Sequence, residues 1–331
     1  MRTLLILLTL LLSACAATGH HRVIDQQPIP AFQIPARQAN VRYLDFFALG
    51  DTGTGDPNQQ KVAAAMAQQA RLTPPAFALL LGDNFYEFGI SSAQAQEWQS
   101  KFETVYNAPE LQVPFYAVLG NHDYLGNAEA EVLYTNQQPQ SRWKMPTRYY
   151  HFTQSLGDGQ QVIFVALDTE PLANSLVDSS QQLAWLRQTL AASDAHWKIV
   201  YGHHPIYSGG QHGNNARLIE NLQPILNQYG VDLYLSGHDH DQQMLAPQQN
   251  LHFVVSGAGS KSRDVRWQSN TRYAATNLGF THFRVSADEL VVSFYTGAAK
   301  LDFAHTISKP LAKTPLLTSP QQPVHQTESA P

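Results

Sequence analysis

Five times in this chain an apolar run of strand length gives way to a glycine and then to a cluster of polar side chains. The runs are Phe46–Leu49, Ala76–Leu81, Phe115–Leu119, Ile199–Tyr201 and Leu233–Leu235. The clusters are Gly50-Asp51-Thr52-Gly53, Gly82-Asp83-Asn84-Phe85-Tyr86, Gly120-Asn121-His122-Asp123, Gly202-His203-His204-Pro205 and Gly237-His238-Asp239-His240. Continuous apolar runs suit strands buried on both faces, as in sheets covered by helices. In such folds ligands gather beyond the carboxyl ends of the strands. The pattern therefore predicts an α/β fold with all five clusters along one edge.

Between the runs lie helix signals. Asp56-Pro57 offers an N-cap and a proline at the first helical position, opening a helix to about Ala70. Ser179 with Gln182 reads as a capping box, and Leu218, Leu222, Ile225 and Leu226 mark one apolar helix face stopped by Gly230. Phe253–Ser256, Thr281–Val285 and Leu290–Tyr295 read as later strands. Strands alternating with helices, followed by strands, predict a sandwich of two facing sheets. With 43% hydrophobic residues in 331, the core can be large. The net charge of −5 argues against a broad basic surface for nucleic acid.

The clusters supply Asp51, Asp83, Tyr86, Asn121, His203, His238 and His240, enough donors for two metal ions. Two adjacent metals can clamp a phosphate ester and activate a water against it. His238 and His240, two apart, would face one way on an extended segment, or reach different metals around a bend. His122 adjoins Asn121 and so points elsewhere, as an acid or a phosphate contact. Tyr86 discriminates among two-metal sites. Where many have Asp-x-His, this chain has Asp51-x-Gly53, and a phenolate from Tyr86 can replace the missing nitrogen. A hard, electron-rich oxygen suits ferric iron.

This motif set resembles the purple acid phosphatases, in particular the short mammalian tartrate-resistant type, over essentially 41–306. The resemblance rests on the Asp83-Asn84-Phe85-Tyr86 run, Leu167-Asp168-Thr169 and Gly237-His238-Asp239-His240. It implies a four-layer α/β/β/α sandwich of two mixed sheets flanked by helices. It also implies Fe(III) beside a divalent Fe, Zn or Mn. Asp51, Asp83, Tyr86 and His240 would then bind Fe(III), with Asp83 bridging to a second site completed by Asn121, His203 and His238. His212, in a glycine-rich loop, would join His122 in contacting the phosphate and assisting the leaving group. His204, Asp123 and Asp239 are candidates for supporting roles. The implied reaction is hydrolysis of phosphomonoesters by a metal-bound hydroxide, with an acidic optimum. Glu170–Ser180 is too short for the proteolytically activated loop of the mammalian form.

Small phosphoesters are the expected substrates, with phosphoproteins or nucleotides as further possibilities, acted on by a monomer. Two alternatives stand beside this reading. One is a phosphodiesterase or nucleotide hydrolase on the same metals, although the sequence offers no clear basic or aromatic platform for a base. The other is a metal-binding redox surface lipoprotein with incidental hydrolysis.

The ends carry a different message. Residues 1–14 form a short positive start and an apolar run, closed by Leu12-Ser13-Ala14-Cys15, which resembles a bacterial lipoprotein signal peptide. Cys15 is the one cysteine, and lipidation there would anchor the protein to a membrane of the cell envelope. Residues 15–40 read as a tether and 307–331 as a disordered tail.

Overall fold

The computed structural model describes residues 42–157, 159–174 and 179–309; the leader, Cys15, the tether up to residue 40 and the tail beyond 309 lie outside them. The elements begin β1 (Leu44–Leu49), α1 (Pro57–Leu72), β2 (Phe77–Leu80), β3 (Phe115–Ala117), α2 (Glu129–Gln137), β4 (Trp143–Lys144), β5 (Tyr150–Gly157) and β6 (Gln160–Ala166). They continue with α3 (Glu170–Asn174), α4 (Ser180–Ala192), β7 (Trp197–Tyr201), α5 (Ala216–Asn221), α6 (Gln223–Gln228) and β8 (Leu233–Ser236). The last are β9 (Gln242–Gln248), β10 (Leu251–Ser256), β11 (Thr271–Ala275), β12 (Gly279–Val285), β13 (Glu289–Thr296) and β14 (Leu301–Ser308).

These strands form two seven-stranded mixed sheets, ordered β14-β13-β12-β1-β2-β3-β4 and β11-β9-β10-β8-β7-β6-β5. The strands that precede the five clusters run parallel to one another within each sheet: β1, β2 and β3 in the first, β7 and β8 in the second. Their carboxyl ends therefore share an edge, as predicted.

Alternation within the apolar runs builds two cores. On β6, Val162, Phe164 and Ala166 face the first sheet, while Ile163 and Val165 face α4, α5 and α6. Between the sheets Phe46 stacks on Phe77 and Phe283 with centroids 5.2 and 4.8 Å apart. Phe164 of the second sheet meets Phe46 and Phe77 edge-on at 5.2 and 5.1 Å. Burying each such ring contributes roughly 1.5–3 kcal/mol, with ring geometry adding on the order of 1. This aromatic seam holds the two halves of the edge in register.

The helix signals fare unevenly. Asp56 caps α1, its carboxylate accepting from the N–H groups of Asn58 and Gln59. The capping box at Ser179 does not form: α4 starts there without a side-chain cap, and Gln182 turns inward to bond both the N–H and the carbonyl of Asp168. The single apolar face from Leu218 to Leu226 is shared by two short helices, α5 and α6, because Pro224 lacks the N–H that would continue the first. β14 extends to Ser308, two residues beyond the expected boundary, since Ile307 pairs with Leu290 and is buried.

Candidate metal centre

Three of the expected donors sit on backbone that side chains rarely adopt. Asp51, Asp83 and His238 have φ of 59°, 52° and 70°. Each such residue costs roughly 1–3 kcal/mol, and such strain concentrates at functional sites. Here hydrogen bonds across the edge hold it: the Asp51 N–H donates to Gly82 O at 2.9 Å, and the His238 N–H to Asp51 Oδ2 at 2.8 Å. The left-handed turns tip the side chains off the strand ends toward one another.

Two groups of donors result. In the first, Tyr86 Oη lies 2.9 Å from Asp51 Oδ1, 2.8 Å from Asp83 Oδ2 and 3.0 Å from His240 Nε2. In the second, His203 Nε2 lies 3.0 Å from Asn121 Oδ1, 3.1 Å from His238 Nδ1 and 3.4 Å from Asp83 Oδ1. Asp83 contributes one oxygen to each. All seven sequence-predicted donors are thus brought together at one edge. Gly53 explains the departure from Asp-x-His: a Cβ at that position would stand 2.0 Å from Asn84 O. The backbone there leaves space for no side chain, and the Tyr86 N–H instead donates to Gly53 O at 2.8 Å.

The chemistry of these groups fits a cation. The Tyr86 hydroxyl has one hydrogen to offer three acceptors. His203 Nδ1 faces Leu81 O at 2.8 Å, which fixes the proton there and turns the bare Nε2 toward the oxygens of Asn121 and Asp83. Lone pairs that converge without hydrogens between them are what a metal satisfies. Burial raises Asp51 to about 7, with the charge of Asp83 adding to it against the pull of His203. Burial likewise raises Tyr86 well above its ordinary value, reinforced by both carboxylates. Asp83 is held below its ordinary value because His203 and the His122 N–H outweigh burial. A bound cation would remove the conflict at Asp51 and Tyr86.

Beneath the donors lies bracing that the sequence left open or missed. Asp123 is buried, and its carboxylate accepts from the N–H groups of Asn84, Phe85 and Gly120 at 2.9, 3.0 and 2.8 Å. It thereby ties the second cluster to the third. Glu131 of α2, also buried, accepts from Asn84 Nδ2 at 3.0 Å. Burial raises Asp123 to about 8 and Glu131 well above its ordinary value. Thr169 Oγ1 accepts from the N–H groups of His203 and His204 at 3.1 and 3.0 Å. His204 lies between Thr169 Oγ1 (3.0 Å) and Glu170 Oε2 (3.3 Å), its ring 4.5 Å from that of His238. Asp239 is buried; it accepts from Ser208 Oγ and, at 2.9 Å, from the His212 N–H, so it holds the His212 loop.

Residues 44–242 match the calcineurin-like phosphoesterase family. Tartrate-resistant acid phosphatase type 5 of Mus musculus is 32% identical over 299 residues, covering 80% of this chain and 90% of its own. Purple acid phosphatase 17 of Arabidopsis thaliana is 34% identical over 303 residues, covering 82% and 86%. This chain belongs to the calcineurin-like phosphoesterases, among the purple acid phosphatases. Solved structures agree on the fold. GAP50, titled the anchor in the inner membrane complex of Plasmodium, superposes with a TM-score of 0.75 at 25% identity over 82% of this chain and 90% of that one. Purple acid phosphatase PPD1 from yellow lupin does so at 0.64 and 16%, over 81% and 54%.

This phosphoesterase thus carries a metal site whose donors come from both sheets. The two further histidines flank that site on different sides. His122 packs its ring on Tyr86 at 4.7 Å, with Nδ1 2.6 Å from Glu87 O. His212 packs on His238 at 3.9 Å, and Arg263 Nη1 donates to its Nε2 at 3.4 Å. Sequence reading missed Arg263, and also Lys261, whose Nζ lies 3.8 Å from the Tyr86 ring centroid. Both sit on a segment without regular structure, where spacing gives no signal.

Proposed function

We propose that this chain is a binuclear-metal acid phosphatase acting on phosphomonoesters. Asp51, Asp83, Tyr86 and His240 would hold one ion, best Fe(III), and Asp83, Asn121, His203 and His238 a divalent Fe, Zn or Mn. The observation that carries the reading is the shared carboxylate of Asp83, one oxygen 2.8 Å from Tyr86 Oη and the other 3.4 Å from His203 Nε2. Bound there, the two cations would acidify a water and offset the charge of the phosphoryl oxygens.

The chain's own residues do the rest. His122 and His212 stand on either side of the donors, where N–H groups can hold phosphoryl oxygens and one protonated ring can give its proton to the departing alkoxide. The Glu87 carbonyl keeps a proton on His122 Nδ1, which presents Nε2 to the substrate. The Asp239 carboxylate fixes the His212 backbone, so this second histidine is also prepositioned. From sequence alone, the leader and Cys15 support an address at a bacterial cell envelope, with this domain held by lipid.

The test is metal analysis and a visible spectrum of the protein starting after Cys15. Two metals per chain and a visible charge-transfer band that vanishes in Tyr86→Phe would support the reading. Two metals without such a band would reduce Tyr86 to packing and reopen the metal. In the same preparation, His122→Ala should lose most turnover of p-nitrophenyl phosphate at unchanged metal content.

A further inference from the structure

We propose that Lys261 and Glu87 form a charge pair that tunes how strongly the Tyr86 phenolate donates electrons to its metal ion. Both residues act through Tyr86 and neither is a ligand. This inference rests on the ferric-phenolate reading above and adds two residues outside the donor set.

The ammonium of Lys261 lies 3.8 Å from the centroid of the Tyr86 ring. A cation within about 6 Å of an aromatic face is attracted by the ring's negative quadrupole. A phenolate spreads its extra charge into the ring carbons, so a deprotonated Tyr86 attracts the ammonium more strongly than the phenol does. The same ammonium donates to Glu87 Oε1 at 2.5 Å. Carboxylate and ring therefore compete for one positive charge.

The metal donors themselves hold the pair in place. The Gly259 N–H donates to Gly50 O at 3.1 Å, Ser260 Oγ to Asp51 O at 2.7 Å and the Arg263 N–H to His240 O at 2.8 Å. Lys261 thus lies between residues tied to Asp51 and His240, two partners of the Tyr86 hydroxyl. A Cβ at Gly259 would stand 2.4 Å from Gly50 O, so the segment lies flush on the end of β1. On the other side, Glu87 O lies 2.6 Å from His122 Nδ1, and Lys101 Nζ donates to Tyr86 O. These bonds fix the backbone that carries the carboxylate.

The Lys261 and Glu87 side chains are 28% and 54% exposed, so as an ion pair they add little to stability. Their field at the ring is a different matter, because Tyr86 is buried and charges act there with little screening. As the ring donates, it becomes less negative and its hold on the ammonium weakens. Lys261 therefore restrains donation and leaves the ion the stronger Lewis acid, while Glu87 relaxes that restraint. The visible charge-transfer transition moves an electron in the same direction, so it needs more energy with Lys261 in place.

The experiment records the visible spectrum of the metal-loaded full chain as wild type, Lys261→Met, Lys261→Arg and Glu87→Gln, at metal contents matched by elemental analysis. In Lys261→Met the band should move to longer wavelength by roughly 10 nm, the scale of a cation–π attraction set against a visible photon. Glu87→Gln should move it to shorter wavelength, and Lys261→Arg should keep it near wild type. Lys261→Gln repeats the measurement if Lys261→Met loses metal. A merely structural role would misplace Tyr86 and weaken the band in both variants without opposite shifts. A band that stays in place, fades without moving, or moves the same way in Lys261→Met and Glu87→Gln overturns the tuning and leaves the phosphatase reading standing. Wild type with two metals and no band overturns the ferric-phenolate reading and the tuning together.

Discussion

The two sheets make unlike contributions to the metal site. From β1, β2 and β3 come oxygens, those of Asp51, Asp83, Tyr86 and Asn121. From β7 and β8 come the nitrogens of His203, His238 and His240. Their supports differ as well. The oxygen half rests on buried acids, Asp123 and Glu131, whose burial favours the uncharged form. The nitrogen half rests mainly on neutral groups, Leu81 O and Thr169 Oγ1. One half should therefore respond to pH and to loss of metal far more than the other. Asp83 is where the two meet.

Removing that shared carboxylate breaks both halves at once. Asp83→Asn should lower kcat by on the order of 10³-fold or more, roughly 4 kcal/mol of transition-state stabilisation, and elemental analysis should show metal lost. Chelation comes next. Metal present at a hundredfold over its Kd stabilises the fold by about 2.7 kcal/mol, so metal-free protein should melt lower. It should also respond differently to pH. Asp51 has a folded pKa of about 7 against 3.8, so the folded state binds the extra proton between those values. Stability of the metal-free chain should then fall as pH rises from 4 to 7, whereas loaded protein should show no such fall in urea titrations.

Backbone crowding in the oxygen half gives the third effect. A Cβ at Gly120 would meet Asp83 Oδ1 at 2.2 Å, so Gly120→Ala should cost roughly 3 kcal/mol in urea unfolding and displace the carboxylate. Asp45, within β1 of the same sheet, provides the contrast. Burial would raise it, yet His282 and Arg284 outweigh that and hold it at about 2 against 3.8. Its contribution is present above 3.8 and lost as pH falls through 2; it should be about 2 kcal/mol, measured as the acid-induced loss that Asp45→Asn lacks. The nitrogen half should give the mildest change. Thr169→Val leaves two N–H groups without an acceptor and should cost about 1–2 kcal/mol, with little change in pH dependence.

The sequence made the site more legible than the frame around it. Strands buried on both faces announce themselves as apolar runs, and metal donors must be of a few residue types directly after them. β9 gave no such signal. Gln242 and Gln243 are fully buried within it because their amides find partners in Phe280 O, Tyr295 O and Ser208 Oγ. Gln182 was misread for the opposite reason: its spacing from Ser179 suits a cap, but the backbone of Asp168 competes for it and wins. Apart from the bond between Asp123 and the nearby Gly120 N–H, Asp123, Glu131 and Thr169 act through hydrogen bonds to residues 34 to 47 positions away, such as His203 and Asn84, which no local pattern encodes. Asp123 and Asp239 were visible as residues, but their burial was not.

The crowding at Gly53 bears on which metal sites this backbone can carry. Every side chain at that position begins with a Cβ, and that atom alone collides with the Asn84 carbonyl. A histidine there therefore cannot be accommodated on this backbone, whether or not Tyr86 is kept. The loop carrying Asn84 would have to shift in the same step, although the N–H groups on either side of that carbonyl, Asn84 and Phe85, are both pinned by Asp123. The tyrosine and histidine versions of such a site thus differ in the path of the backbone at Asn84 and not in one side chain alone.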